Sequence, residues 1–346
     1  MSGQSRVLFA AHDPGGARFL SPVIPMVLAR GLEVMLAATG PAADIWRSLG
    51  DVTGDTKTAL AEFAPHLVVT GTGFGDFERA IWLAVRNRAV PSVAVIDAWT
   101  NLRRRFSGES GVEVLPDALC VPDQIMADEI AAGGWCTSRV HVTGHPHLQE
   151  TVQRLKNQRI GHLRSEPPIV AFFSEPVIQD HGGASVVGYD QFGVMDAVVG
   201  ALGSLGAARL IVQPHPREHR ENWARWLEDK PEDAKRRISI GEWRTDELLN
   251  RCDAVVGMTS MVLAEAALSG IASLSLQPGR KAEINPLMGR IAQIDIVSDP
   301  HGIAVALGRL VGGGVQPIQS DQGMDAILCD ARRRLMGAIE TELAFS

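Results

Sequence analysis

Cysteine is sparse and scattered in this chain. There are four in 346 residues, at Cys120, Cys136, Cys252 and Cys329, with no C-x-x-C pair and no histidine cluster beside them. That spacing speaks against a disulfide framework or a zinc site and fits reduced thiols. A basic surplus is lacking as well. The chain has 33 Lys and Arg against 40 Asp and Glu, a formal net charge of −7, which argues against a nucleic-acid binder. No apolar run approaches the roughly 20 residues of a membrane span. The N-terminus enters an apolar strand directly, without the regions of a secretory signal. The expectation is a cytoplasmic protein, with peripheral membrane contact left open and the oligomeric state unread. No repeat, heptad or low-complexity segment is present.

What the chain does contain is ordinary globular material, 45% hydrophobic and 21% charged, in a length that exceeds what one core usually serves. Short, continuously apolar strands alternate with helical stretches. Strands are expected at 6–11, 33–38, 67–70, 92–96, 118–121 and 139–142, with helices at about 17–30, 41–49, 56–63, 76–88 and 124–132. A polar stretch ending in Glu166-Pro-Pro168 marks a junction. Beyond it, strands at 169–173, 210–212, 237–240, 254–256 and 273–276 alternate with helices at about 191–205, 219–229, 245–250 and 259–269. This pattern reads as an α/β chain of two Rossmann-like αβα domains facing across a cleft. The domains are placed at 1–160 and 161–320, with a last helix, about 321–346, packing back on the first. The polar loop at 101–116, holding Arg103, Arg104, Arg105, Glu109 and Glu113, is either a surface loop or a flap.

Two segments carry most of the chemistry: Ile211-Val-Gln-Pro-His-Pro-Arg217 and Gly257-Met-Thr-Ser-Met-Val-Leu-Ala-Glu-Ala266. Each is an apolar strand that ends in polar groups, and the second opens a helix. His215, Arg217, Thr259 and Ser260 therefore suit a bound phosphate, favoured by N–H groups and the helix dipole. Simple helix capping accounts for Thr259 or Ser260 taken singly. Ser174 and Glu175 stand at another strand end. In the first domain, His12 and Asp13 precede Gly15 and Gly16, whose spacing is not the dinucleotide fingerprint G-x-G-x-x-G. Asp97 ends the strand at 92–96, flanked by Trp99 and Asn101, which makes it a candidate base, anchor or turn cap. His141, His145 and His147 lack a carboxylate or thiol at ligand spacing, so no metal is expected.

Arg139-Val-His-Val-Thr-Gly-His-Pro146 resembles the I-x-V-T-G-N-P segment that closes the first domain of the glycosyltransferase B superfamily. Pro65-His-Leu-Val-Val-Thr-Gly-Thr72 and Val90-Pro-Ser-Val-Ala-Val-Ile-Asp97 are similar in layout to hydrolysing UDP-N-acetylglucosamine 2-epimerases. In that layout Glu265 matches a glutamate that holds the nucleotide ribose. The first catalytic aspartate, however, falls on Thr72, and the glutamate of the next strand end falls on Asp97. The His-Pro motif followed by Thr-Ser resembles bacterial sialyltransferases, polysialyltransferases and CDP-glycerol glycerophosphotransferases. There the histidine and the hydroxyl pair bind nucleotide phosphate. The Asp/Glu-Asp/Glu-Gly base motif of sialyltransferases is absent, and Asp97 replaces it by position.

The resemblance implies a metal-independent, inverting glycosyltransferase with a CMP-, CDP- or UDP-linked donor, making a polysaccharide or glycoconjugate. It needs no cofactor beyond the nucleotide-sugar donor, and its acceptor is a glycan or small molecule. Ser174, Glu175, His215, Arg217, Thr259, Ser260 and Glu265 would hold the nucleotide. His12, Asp13, Gly15, Gly16, Trp99, Asn101 and Arg105 would hold the acceptor, with Asp97 and His215 catalytic. The alternatives are a sugar epimerase, a nucleotide-sugar hydrolase, and a non-catalytic nucleotide-sugar binding protein.

Overall fold

The computed structural model describes residues 4–108, 111–312 and 327–345. Glu109 and the expected start of the last helix at Asp321 lie outside the described residues. The chain divides into two compact units, Met1–Glu150 with Gln322–Ser346, and Thr151–Asp321. Each is an α/β unit built on a parallel sheet, as the alternating pattern implies.

In the first unit the strands are β1 (Arg6–Ala11), β2 (Glu33–Ala38), β3 (Val52–Thr53), β4 (Leu67–Thr70), β5 (Ser92–Val95), β6 (Ala118–Val121) and β7 (Arg139–Val142). Their order across the sheet is β3-β2-β1-β4-β5-β6-β7. Successive side chains alternate between faces. Val7, Phe9, Val69 and Val95 join Phe19, Trp46, Leu335 and Ile339 in one core. Leu8, Ala10 and Val68 join Ile81 and Val85 in the other. Both faces are covered, which is why these strands read as unbroken apolar runs. The helix Ala331–Leu343 contributes to the first core, and its Glu342 is fully buried. Glu342 Oε1 accepts from Arg139 Nε at 3.1 Å and pairs with His141 Nε2 at 2.8 Å, which ties the helix to β7.

In the second unit the strands are β8 (Ile169–Phe173), β9 (Arg209–Gln213), β10 (Ile238–Ile240), β11 (Ala254–Gly257), β12 (Ala272–Leu276) and β13 (Ile294–Val297). Their order is β10-β9-β8-β11-β12-β13. Val170, Phe172, Leu210, Val212 and Val256 pack against Val194, Val198, Trp223 and Leu307.

Three local departures have simple causes. The helix expected over 17–30 is two, Pro14–Leu20 and Ile24–Ala29, because Pro22 and Pro25 have no N–H to continue the ladder. The helix expected over 191–205 ends at Gly200, and a 3₁₀ turn, Leu202–Leu205, follows. Strands β3 and β13 and the helix Ile303–Val311 were not expected. β3 spans only two residues, and β13 is broken by Asp295, so neither shows a strong period.

Candidate functional site

In an open parallel sheet, ligands bind beyond the carboxyl ends of the strands where the strand order reverses. That point is β1/β4 in the first unit and β8/β11 in the second. The residues that follow these four strands, with those that end β5 and β9, are therefore the candidate groups.

In the first unit the center of the strand end is a clamp. Arg105, 4% exposed on the 3₁₀ turn Arg103–Phe106, donates from Nη1 to Asp97 Oδ1 at 2.8 Å. The same nitrogen donates to the Thr72 carbonyl at 3.0 Å and to Thr72 Oγ1 at 3.2 Å, and Nε donates to the Thr100 carbonyl at 3.2 Å. One guanidinium thus joins the ends of β4 and β5 to the polar loop. Asp97 Oδ2 lies where a Cβ on Gly15 would be, at 1.7 Å from that position. Gly16 meets the backbone of Gly71, whose Cα is 2.8 Å from a Cβ position on Gly16. The paired glycines let the helix Pro14–Leu20 close onto Asp97 and β4, so protein fills the faces expected to meet a ligand.

His145 belongs to the same construction. It is 3% exposed, accepts from the Leu148 N–H on Nδ1 at 3.2 Å, and donates from Nε2 to the Asp97 carbonyl at 3.1 Å. Burial pushes it down to about 4, against the pull of that carbonyl and the Asp97 charge, so it is a neutral ring at physiological pH. Trp99 stacks on it at 5.8 Å between ring centroids, is 3% exposed, and gives its indole N–H to Asp123. Trp99 and Arg105, expected to touch an acceptor, are instead buried supports of Asp97. Each carries a polar group that finds its partner inside the unit. His12, Asp13 and Asn101 reach the surface, with Asn101 at φ +56°.

Sequence reasoning missed Glu78. It is the second residue of the helix Phe77–Arg86, is 1% exposed, and accepts the His12 N–H on Oε1 at 2.9 Å. The alternating glycines after β4, Gly71, Gly73 and Gly75, were the available signal that a side chain packs closely there.

In the second unit the expected anion site holds a carboxylate of the protein. Glu175 Oε1 accepts the N–H groups of Thr259 and Met258 at 2.6 and 3.2 Å, and Oε2 accepts the Thr259 hydroxyl at 2.6 Å. Burial holds the Glu175 carboxyl above its usual range, and these hydrogen bonds oppose that shift. Ser260 caps the helix Met261–Leu268 by accepting the Leu263 N–H at 3.4 Å. Asn285 Nδ2 donates to the Thr259 carbonyl at 2.9 Å. The loop between β11 and the helix is therefore satisfied from within. Arg217 is likewise paired, donating from Nη1 to Asp180 Oδ1 at 2.8 Å. The phosphate contacts expected of Thr259 and Arg217 are thus made with carboxylates instead. Glu265 lies in the second turn of the helix, partly buried.

Donors left at this end include those of His215 and Ser174. His215 Nδ1 accepts the Arg217 N–H at 3.2 Å, which places the ring proton on Nε2. Burial, reinforced by the Arg217 charge, lowers its pKa and keeps the ring neutral. Ser174 Oγ, on a residue 4% exposed, has no hydrogen-bond partner. Among the described residues, no group of three or more His, Cys, Asp or Glu could hold a metal ion. Among them also, no helix is long and apolar enough to cross a membrane.

No protein-family model and no curated protein matches the chain. Solved structures do. A UDP-GlcNAc 2-epimerase from Neisseria meningitidis, bound to UDP-GlcNAc, superposes with a TM-score of 0.70 at 12% identity, covering 97% of this chain and 100% of that one. The calicheamicin glycosyltransferase CalG4 superposes at 0.57 with 13% identity, covering 99% of each chain. The chain has the glycosyltransferase B fold. A Methanocaldococcus jannaschii UDP-GlcNAc 2-epimerase in complex with UDP-GlcNAc and UDP shares this fold at a TM-score of 0.66 and 12% identity, covering 97% and 99% of the two chains. The resemblance read from the Thr-Gly-His-Pro segment and the two strand-end motifs is thereby upheld at the level of fold.

Proposed function

We propose that the protein is a nucleotide-sugar-dependent, inverting glycosyltransferase that needs no metal and takes a CMP-, CDP- or UDP-linked donor. The observation that carries this reading is the fold, shared along nearly the whole chain with enzymes whose structures hold UDP-GlcNAc or transfer sugars. The nucleotide half is assigned to the second unit. His215 Nε2–H is its phosphate donor, Ser174 Oγ supplies a second contact, and Glu265 faces the ribose. A neutral imidazole is suited to this role, because it donates one directed hydrogen bond to a phosphate oxygen and stays uncharged when the nucleotide leaves. The acceptor half is assigned to the first unit, at His12, Asp13 and Asn101 beside the clamped Asp97. The reading extends to polysaccharide or glycoconjugate synthesis through the motif resemblance.

A thermal-shift series with CMP, CDP, UDP and GDP, with and without magnesium, tests the nucleotide half. A ligand at 100 times its Kd stabilises the folded state by about 2.7 kcal/mol, so one nucleotide raises Tm specifically. His215→Ala is expected to weaken that nucleotide by about tenfold, roughly 1.4 kcal/mol for a lost hydrogen bond to phosphate. Affinity within about twofold of wild type, under 0.5 kcal/mol on the same scale, would remove the phosphate role.

A 2-epimerase reading is favoured by one observation: the overlap is higher with the two epimerases, at 0.70 and 0.66, than with CalG4, at 0.57. Incubation of UDP-GlcNAc in deuterium oxide separates the two. Epimerisation at C2 exchanges the C2 hydrogen without an acceptor, whereas transfer leaves it in place.

A further inference from the structure

Glu78 carries an oxygen with nowhere to go. Its Oε1 accepts the His12 N–H, but its Oε2 has no hydrogen-bond partner, although the residue is 1% exposed. A second carboxylate, Asp13, stands by the same glycine, Gly73. Asp13 Oδ2 and Glu78 Oε2 each stand 3.0 Å from the place a Cβ on Gly73 would occupy, so the two oxygens flank that glycine. Asp13 differs in environment, with a side chain 39% exposed and a long contact from the Phe74 N–H to Oδ2 at 3.4 Å. The pair lies just beyond β1 and β4, at the point of the sheet where ligands bind.

A buried, ionised oxygen that receives no donor is costly, and a second carboxylate beside it adds like-charge repulsion. A proton on Glu78 Oε2 removes the buried charge and the like-charge repulsion, and it turns an oxygen that could only accept into one that can donate. The groups facing Glu78 are consistent with this state. Burial is the main influence raising it and the Asp13 charge adds to it, while the His12 N–H, the N–H of Glu78 itself and the His12 ring oppose.

We propose that Asp13 and Glu78 form one carboxyl–carboxylate acid–base unit, with exposed Asp13 meeting a sugar hydroxyl and buried Glu78 holding a proton behind it. The substrate class rests on the nucleotide-sugar reading; the carboxyl pair itself does not. In a transfer step, the acceptor hydroxyl gives its proton to Asp13 as its oxygen bonds to the anomeric carbon of the donor. The bond from that carbon to the phosphate oxygen breaks, and its electron pair leaves with the nucleotide. The proton gained by Asp13 then returns to solvent from its exposed side. Asp97, held by Arg105 and covered by Gly15, is left as an anchor of the strand ends.

The pair is tested by infrared spectroscopy on full-length protein carrying ¹³C-carboxyl glutamate. At neutral pH the wild type is expected to show a protonated glutamate C=O band that Glu78→Gln removes. Asp13→Asn is expected to move the midpoint of that band, because the neighbouring charge is gone. Asp13→Asn lies at the surface and keeps its shape, which covers the case of a Glu78 variant that folds poorly. With the nucleotide sugar found in the thermal-shift series, Asp13→Asn is expected to lower kcat by about 100-fold or more while KM for the donor changes little, as loss of a general acid–base group does, whereas Glu78→Gln, a neutral mimic of the protonated carboxyl, is expected to keep most of kcat. A merely structural Glu78 would show no protonated band, and its absence overturns the pair. A wild type that turns over no nucleotide sugar overturns the functional reading alone, and the band still decides the pair.

Discussion

At the end of β5 the carboxylate of Asp97 meets a guanidinium, and at the end of β8 the carboxylate of Glu175 meets two N–H groups and a hydroxyl. Both follow an apolar parallel strand, and both read in the sequence as groups aimed at a ligand. The first is held by a full opposite charge from a buried side chain. The second is held by the partial charges of a helix-opening loop, the arrangement that elsewhere receives phosphate. The lesson is that a carboxylate at a strand end is often already employed. The groups to pursue are the ones left over: Glu78 Oε2 in the first unit, and His215 Nε2 and Ser174 Oγ in the second.

Breaking the charged clamp is expected to have the largest effect. Arg105→Ala strands Asp97 and the Thr72 carbonyl, and loss of one partner of a buried ion pair costs about 3–5 kcal/mol, measured as a lower urea midpoint for the first unit. Arg105→Lys is expected to recover little, since one ammonium cannot replace the fork that reaches Asp97, Thr72 and Thr100 together. A variant within about 1 kcal/mol of wild type, the range of exposed pairs, would show that Asp97 and Arg105 are not a unit.

The next effect is a pH dependence seated beside the clamp. His145 is neutral when folded, with its pKa lowered to about 4, so the unfolded chain binds a proton more readily between about pH 6.5 and 4. Stability therefore falls as pH falls through that window, by up to about 3 kcal/mol for this one group. His145→Gln keeps a donor toward the Asp97 carbonyl and is expected to flatten that part of the profile. An unchanged slope in the variant would assign the acid sensitivity elsewhere.

The smallest of the three falls on the dipolar contact. Glu175→Gln places an amide where two N–H groups and a hydroxyl all donate, which costs about 1–3 kcal/mol for imperfect pairing. Glu175 is shifted in the opposite sense to His145, because burial raises its pKa. The folded state thus holds that proton more tightly, and the contribution of Glu175 to stability declines as pH rises past the ordinary carboxylate range. Glu175→Gln is expected to lose that decline. If Glu175→Gln destabilised as much as Arg105→Ala, the distinction between charge and dipole compensation would fail.

Most of the strands were legible because a parallel strand covered on both faces must be continuously apolar, as Val7–Ala11 and Val93–Ile96 are. The same rule explains the omissions, since β3 is two residues long and β13 carries Asp295 within it. The site was legible as a set of positions and less so as a set of roles. Trp99 and Arg105 looked like ligand contacts, yet both are buried. Glu78 drew no reading from its helix, and only the fold over β1 shows it turned inward.

The sequence by itself determined the alternation, the two-unit organisation and the strand ends where chemistry can gather, because these depend on local periodicity and composition. Tertiary structure alone decided which polar group meets which. His12 and Glu78 are 66 positions apart, and Glu175 and Thr259 are 84 apart. A hydrogen bond at 2.9 Å depends on the folded path of two distant segments, and no local pattern records the partner.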